Sequence, residues 1–278
     1  METNDQRPAI GADVHEVRGG QAVARHIDVI MEEPLSLEIN GQPAALLMRL
    51  PGMEKELAVG FCISEGLVRS FDDLLGVHHC GQGLPAAQDS ISGGEARNRV
   101  QVTAREAGLD PEARHEVVRL VRAGCGAVDL READLSLRRI DDGLRVRAEV
   151  LQTLPQAMLD AQELRRTVGG VHAAGIFAAD GSVVVVCEDI GRHNAVDKAI
   201  GHCLLRGIAL ADKVLLCTGR LSYEMVMKAI RAGFPVLASI TVPTSLAVNL
   251  AVAYNLTLVC HLRGERMTIY AHPQRVAL

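Results

Sequence analysis

Between residues 183 and 263 the chain alternates short runs of branched aliphatic residues with helical stretches. VVVVCE leads to NAVDKAIGHCLLRG, KVLLCT to SYEMVMKAIRAG, and PVLASIT to PTSLAVNLAVAYN, before LTLVCHL closes the series. Nearly continuous apolar strands separated by helices predict a mainly parallel sheet with helices on both faces. Just ahead, GIFAADGSVVVVCEDI predicts a hairpin turning at Asp180-Gly181. The chain is 48% apolar with no Trp and 3% aromatics. Its core must come from Val, Leu, Ile and Ala, which suits an α/β fold better than an aromatic-rich β sandwich.

Upstream the pattern differs. DVIMEEPLSLEINGQPAALLMRLPG places Asn40-Gly41 between two apolar runs, a strong hairpin signal. MEKELAVGFCISEGLV has helical spacing and should end at Gly66, and NRVQVTA reads as a strand. PEARHEVVRLVRA reads as a helix, and LSLRRIDDGLRVRAEV as a hairpin with an Asp-Asp-Gly turn. LPQAMLDAQELRRTV is an amphipathic helix. The expected organisation is a disordered tail over 1–22, a smaller α+β domain over 23–150, and an α/β domain over 151–278.

Net charge is -5, so the protein as a whole is no electrostatic trap for nucleic acid. The polar start METNDQRPAIGADVHEVRGG has no apolar core of a signal peptide. SLAVNLAVAYNLTLVCHL is interrupted by Asn249, Asn255 and His261 and reads as helix plus strand, not a membrane span. The expected location is the cytoplasm. Seven cysteines at irregular spacing, with no C-x-x-C, argue against a disulfide framework or a zinc ribbon. His78-His79-Cys80 is the one metal-like cluster, but adjacent strand residues face opposite ways, so no zinc is expected there.

In an open α/β sheet, ligands sit beyond the carboxyl ends of the strands, where helix N-termini favour anions. Three strand-to-helix turns carry polar residues: 188–194, 218–222 and 239–245. They offer Arg192 and Arg220 for phosphate, hydroxyls at Thr241, Thr244 and Ser245, and His193 as a donor. Carboxylates at Glu188 and Asp189 could accept from a base such as guanine. Ordinary helix capping explains any one of these turns equally well. Walker and Rossmann glycine motifs, the zinc-deaminase signature and the G-x-S-x-G elbow are all absent. A divergent nucleotide hydrolase or deaminase would therefore lack its usual catalytic set.

Most cysteines sit in apolar runs, but Cys125 stands in VRAGCGAVDL, between two glycines and three residues after Arg122. An exposed, mobile thiol with a nearby cation has what a sulfur carrier needs. An inconsequential surface cysteine is the alternative.

GFCISEGLV, GGVHAAGIF, EDIGRHNAVDKAIG, TGRLSYEMVMKAIRAGFPVLASITVPTSLAV and MTIYAHPQRV resemble the formate dehydrogenase accessory sulfurtransferase (FdhD) family. The resemblance runs from about residue 25 to the C-terminus. It implies a homodimer whose C-terminal domain is cytidine-deaminase-like α/β/α without the zinc. It implies a sulfur carrier that accepts sulfane sulfur from a cysteine desulfurase as a Cys125 persulfide. The acceptor it implies is the bis-molybdopterin guanine dinucleotide molybdenum cofactor of formate dehydrogenase. The family's cofactor segment maps onto Ile240, Thr241, Val242, Pro243, Thr244 and Ser245, while Arg220 and His193 are added from position and chemistry. Where the family has C-G-x-C, this chain reads Cys125-Gly126-Ala127-Val128. The carrier is kept and an intramolecular resolving thiol is not. A chaperone that binds and inserts the cofactor without moving sulfur is the other reading.

Overall fold

The computed structural model describes residues 8–80, 97–110 and 137–278. A hairpin of β1 (Ala9–Arg18) and β2 (Gln21–Ile30) comes first. A four-stranded sheet follows, made of β3 (Glu33–Ile39), β4 (Gln42–Arg49), β5 (Leu74–His79) and β6 (Arg99–Ala104) in the order β4-β3-β6-β5. Helix α1 (Glu54–Ser64) covers one face of that sheet, with Leu57 and Phe61 in one cluster with Leu35, Leu37, Val100 and Val102.

The second sheet has six strands in the order β13-β12-β11-β10-β8-β9. They are β8 (His172–Phe177), β9 (Val183–Asp189), β10 (Val214–Cys217), β11 (Val236–Ser239), β12 (Thr257–Arg263) and β13 (Arg266–Ala271). Period-2 alternation separates its two faces. Val214, Leu216, Val236, Ala238 and Val259 pack with α2 (Ala148–Ala161). Leu215, Cys217, Leu237, Leu258 and Cys260 pack under α4 (Arg192–Leu205), α5 (Tyr223–Arg231) and α6 (Ser245–Ala253). The short α3 (Glu163–Thr167) follows α2, and β7 (Val146–Arg147) pairs in parallel with β14 (Val276–Ala277).

The two layers meet where α1 crosses α4. A Cβ on Gly60 would lie 1.8 Å from the Asp197 carbonyl oxygen, and one on Gly201 would lie 1.9 Å from that of Glu56. Backbone-to-backbone contact this close admits only glycine on both helices.

The Asn40-Gly41 hairpin forms as expected, with φ of 50° and 73°, the left-handed pair that a two-residue turn requires. Helix α1 ends before Gly66, whose φ is 76°.

Four expectations change. Residues 9–22, read as a disordered tail, are strand and turn, because Gly19-Gly20 at φ of 56° and 82° closes a hairpin between alternating sequences. The mainly parallel sheet is mixed. β10, β11 and β12 are mutually parallel, but the two hairpins put β8 antiparallel between β9 and β10 and β13 antiparallel beside β12. The Asp-Asp-Gly segment makes no hairpin among the described residues. Buried Arg275 holds Asp141 O at 2.9 Å and Asp142 Oδ1 at 3.1 Å, and Asn255 Nδ2 holds Ile140 O at 2.8 Å. Those bonds place 140–150 with the six-stranded sheet, upstream of the expected boundary at 150.

Candidate functional site

Strands β9, β10 and β11 run the same way, so their carboxyl ends, and the turns that follow, share one edge of the six-stranded sheet. The amino end of antiparallel β8 lies on that edge too, which brings in His172, a residue sequence reasoning did not single out.

The turn after β9 is closed. Glu188 accepts from the Leu164 and Arg165 amides, each at 2.9 Å, and so caps α3. Asp189 is fully buried. It accepts from Gly191 N and Asn194 Nδ2 through Oδ1, and from Leu50 N and, at 2.7 Å, Lys198 Nζ through Oδ2. Asn194 and Lys198 also donate to the carbonyls of Met48 and Leu50. Neither carboxylate is therefore open to a guanine base, contrary to the expectation from the sequence.

One turn further along α4 lies a second buried group. Lys228 Nζ contacts both Asp197 carboxylate oxygens at 2.9 Å, Glu65 Oε1 at 2.6 Å and Ser64 Oγ at 2.9 Å, and sits 5.3 Å from the centre of the Phe61 ring. Burial pushes the Asp197 carboxyl up against the pull of Lys228, while the two carboxylates outweigh burial and raise Lys228. EDIGRHNAVDK is thus largely a tie between layers, since its polar side chains reach β4 and α1.

The next two turns are open and stitched to each other. Leu221 N donates to Val242 O at 3.1 Å, and Thr244 N to Leu221 O at 3.0 Å. Ser239 Oγ donates to Gly219 O at 2.8 Å and accepts from Thr241 N at 3.0 Å. Beneath them β12 holds the 240–245 segment, with His261 N donating to Thr241 O at 2.8 Å and Arg263 Nε to Ile240 O at 2.9 Å. His261 has a φ of 52° at an irregularity in the β12–β13 pairing. Sequence periodicity shows none of this, because the bulge is a property of pairing. Thr244 Oγ1 caps α6 by accepting from Ala247 N at 3.3 Å. Arg220, Val242, Thr244 and Ser245 are exposed, and Ile240, Thr241 and Pro243 partly so.

His193 lies beside this edge but is engaged, its Nε2 3.0 Å from Glu224 Oε2. That hydrogen bond, with the nearby charges, holds the Glu224 carboxyl below its usual range. Arg192 lies over Gly219, where a Cβ would be 2.7 Å from Arg192 Cδ, and its buried Nε has no partner among the described residues. His172 Nδ1 is 3.2 Å from Thr218 Oγ1. Burial, then the charges of Arg192 and His193, push the His172 imidazole down, so it stays neutral near pH 7. The edge as a whole gathers Arg192, Arg220 and Arg263 around exposed hydroxyls, an arrangement suited to an anion.

No activated thiol faces that edge among the described residues. Burial pushes Cys187 and Cys260 up to about 12, Cys203 to about 11, and Cys217 further still. These are small core hydrophobes, as the sequence suggested. Cys125 and Val128 lie outside the described residues. His78 is exposed and His79 buried, its Nε2 2.5 Å from Arg97 O, and no three metal-ligating side chains converge among the described residues.

Residues 30–277 match the model of the FdhD/NarQ family. The sulfur carrier protein FdhD of Streptomyces avermitilis is 39% identical over 269 residues, covering 94% of this chain and 93% of its own. That of Thermoplasma acidophilum is 38% identical over 257 residues, covering 89% and 86%. Among solved structures, a protein of Desulfotalea psychrophila described as a formate dehydrogenase accessory protein superposes with a TM-score of 0.76. It is 25% identical, and the match covers 98% of this chain and 100% of that one.

Proposed function

The chain belongs to the FdhD/NarQ family, and on that footing we propose that it is a sulfur carrier serving formate dehydrogenase. The carrying observation is the nearly full-length match to proteins named sulfur carriers, one of them 39% identical. In this reading the Cys125 thiolate attacks the outer sulfur of a cysteine desulfurase persulfide. A new S–S bond forms, the donor's S–S bond breaks, and the donor sulfur leaves as thiolate. The outer sulfur then passes to the bis-molybdopterin guanine dinucleotide cofactor as substrate: the Cys125 S–S bond breaks, Cys125 leaves as a thiolate with the bonding pair, and the cofactor in its reduced form would give up the two electrons that bring the zero-valent sulfur to the sulfide level.

The guanine nucleotide portion is assigned to the Ile240–Ser245 segment, with Arg220 against phosphate. The open, hydroxyl-bearing turns and the three nearby arginines support that assignment. His193 is assigned a supporting place through Glu224, since its ring nitrogen is already engaged. The six-stranded sheet, with helices on both faces, is read as the cytidine-deaminase-like domain, and the working state as a cytoplasmic homodimer. No described helix is long and apolar enough to cross a membrane.

Mass spectrometry after incubation with a cysteine desulfurase and cysteine tests the carrier. The intact chain should gain one sulfur, and Cys125→Ala should not; a gain that persists in Cys125→Ala removes the assignment. Val128, where the family places a second cysteine, favours the chaperone reading. Complementation decides between them: if Cys125→Ala restores formate dehydrogenase as fully as the parent chain, cofactor binding alone suffices.

A further inference from the structure

The charges of EDIGRHNAVDK are satisfied with one exception. Glu188 and Asp189 accept backbone amides, Asp189 pairs with Lys198, and Asp197 pairs with Lys228. Glu224 feels the Arg192 charge, yet its Oε2 is taken by His193 at 3.0 Å. Arg192 is partly buried and its Nε is shut off from solvent. No acceptor or carboxylate meets its side chain among the described residues. A buried donor without a partner costs the full desolvation of the group. A guanidinium kept in that state is suited to an acceptor that arrives from outside the chain.

A second orphan lies in the turn that Arg192 covers. Ser222 is the N-cap of α5, where a serine ordinarily accepts an amide of the first turn. Its side chain caps nothing, and its buried Oγ has no partner among the described residues. The Arg192 stem rests on Gly219 of the same turn, where a Cβ would lie 2.7 Å from Arg192 Cδ and 3.1 Å from Arg192 Cβ. Gly219 has no left-handed φ, so the arginine above it, and not the backbone, is what leaves no room for a side chain. Exposed Arg220 is the very next residue. Two guanidiniums are thus rooted at adjacent points of one turn.

We propose that Arg192 and Ser222 form a second phosphate seat at this edge, so that the site selects a nucleoside diphosphate group over a monophosphate. One phosphate lies on Arg220, and the next on Arg192 and the Ser222 hydroxyl. This rests on the reading that the edge holds the guanine nucleotide portion of the cofactor, and it names the two residues that choose its phosphate chain. A diphosphate carries negative charge on two neighbouring phosphate groups and so matches two guanidiniums, each able to grip phosphate through two parallel N–H donors. A monophosphate would engage one cation and leave the other, and the buried hydroxyl, without an acceptor.

Titration calorimetry on the full chain with GDP, GMP and inorganic pyrophosphate tests it. The parent chain should bind GDP more tightly than GMP, and should bind pyrophosphate alone. Arg192→Gln should weaken GDP and pyrophosphate roughly 10- to 100-fold and leave GMP nearly unchanged, so that the preference for GDP disappears. Ser222→Ala should give a smaller loss of the same kind, whereas Arg220→Ala should weaken GDP and GMP alike. Should Arg192→Gln fail to fold, Gly219→Ala takes its place: it keeps the guanidinium, displaces its stem and should lower the same preference. A GDP preference unchanged in the folded variant overturns the proposal and leaves the nucleotide reading standing, as does an equal weakening of GMP. Binding of pyrophosphate that depends on Arg192, with no binding of GDP, upholds the phosphate seat and removes the guanine reading. A parent chain that binds neither removes both.

Discussion

The turn after β9 and the turns after β10 and β11 leave one sheet edge with the same kinds of residue, yet they are used in opposite ways. In the first, Glu188, Asp189, Asn194 and Lys198 all turn inward and are hydrogen-bonded or ion-paired to α3, β4 or each other. In the other two, Arg220, Thr244 and Ser245 face solvent, and the backbone does the stitching. Buried polar groups must be satisfied or they cost stability, so a polar turn beneath another layer becomes a fastener. A polar turn with nothing above it keeps its donors for a ligand. The residue types do not distinguish the two; what lies over each turn does.

The largest expected effect tests the fastener. Lys228→Met leaves buried Asp197 and half-buried Glu65 without their shared cation, and breaking a buried pair from one side costs about 3–5 kcal/mol. Urea unfolding should show that loss, and the deficit should narrow as pH falls, because a protonated Asp197 needs no counter-charge. The sign follows from burial, which already raises the Asp197 pKa in the intact cluster. Guanine-nucleotide affinity of the folded fraction should be unchanged. A stable Lys228→Met that loses nucleotide would reverse the comparison and put the cluster in the binding machinery.

A smaller loss is expected where the same two layers touch without charge. Gly→Ala inside a helix ordinarily gains up to about 1 kcal/mol. At Gly60 the new methyl would meet the Asp197 carbonyl at 1.8 Å, so α1 and α4 must move apart. We expect Gly60→Ala to destabilise by about 1–3 kcal/mol, in the usual range for overpacking. A gain in stability would mean that the crossing is loose and that the fastener is the ion pairs alone.

Much of this was legible in the residues, for identifiable reasons. The Asn40-Gly41 turn, the Asp180-Gly181 turn and the buried strands β10 to β12 follow from local rules that need no knowledge of the other layer. The three turns were correctly expected on one edge, because strand direction alone sets it. The fate of Glu188 and Asp189 was not legible, since it depends on Leu50 and Leu164 arriving from distant parts of the chain. His172 was missed although the expected β8–β9 hairpin already sets it opposite Asp189 on that edge. The first hairpin was missed because its polar face dilutes the alternation, although Gly19-Gly20 was a signal that could have revealed it.

The open turns predict a different pattern of loss. Arg220 is exposed and no hydrogen bond or ion pair of its side chain supports the fold among the described residues, so Arg220→Ala should leave stability within ~0.5 kcal/mol. If its guanidinium meets phosphate, a charge-assisted hydrogen bond of about 1.5–3 kcal/mol is lost. That is roughly a 10- to 100-fold weakening for a guanine nucleotide, readable by titration calorimetry. Unchanged affinity would leave the second turn as open as the third but without a ligand.

Thr244 gives the smallest effect and the finest test, because it belongs to both classes. Its hydroxyl caps α6 through Ala247 N, yet it is exposed in the segment assigned to the nucleotide. At 3.3 Å the bond is long, so Thr244→Ala should sit at the low end of cap losses, about 0.5–1 kcal/mol. Thr244→Ser keeps the oxygen and should restore that stability. Affinity should fall less than for Arg220→Ala, because the backbone of 240–245 remains held by His261 and Arg263. If Thr244→Ala binds nucleotide normally while losing stability, its hydroxyl is a fastener like Asp189, and the line between closed and open turns falls inside the third turn.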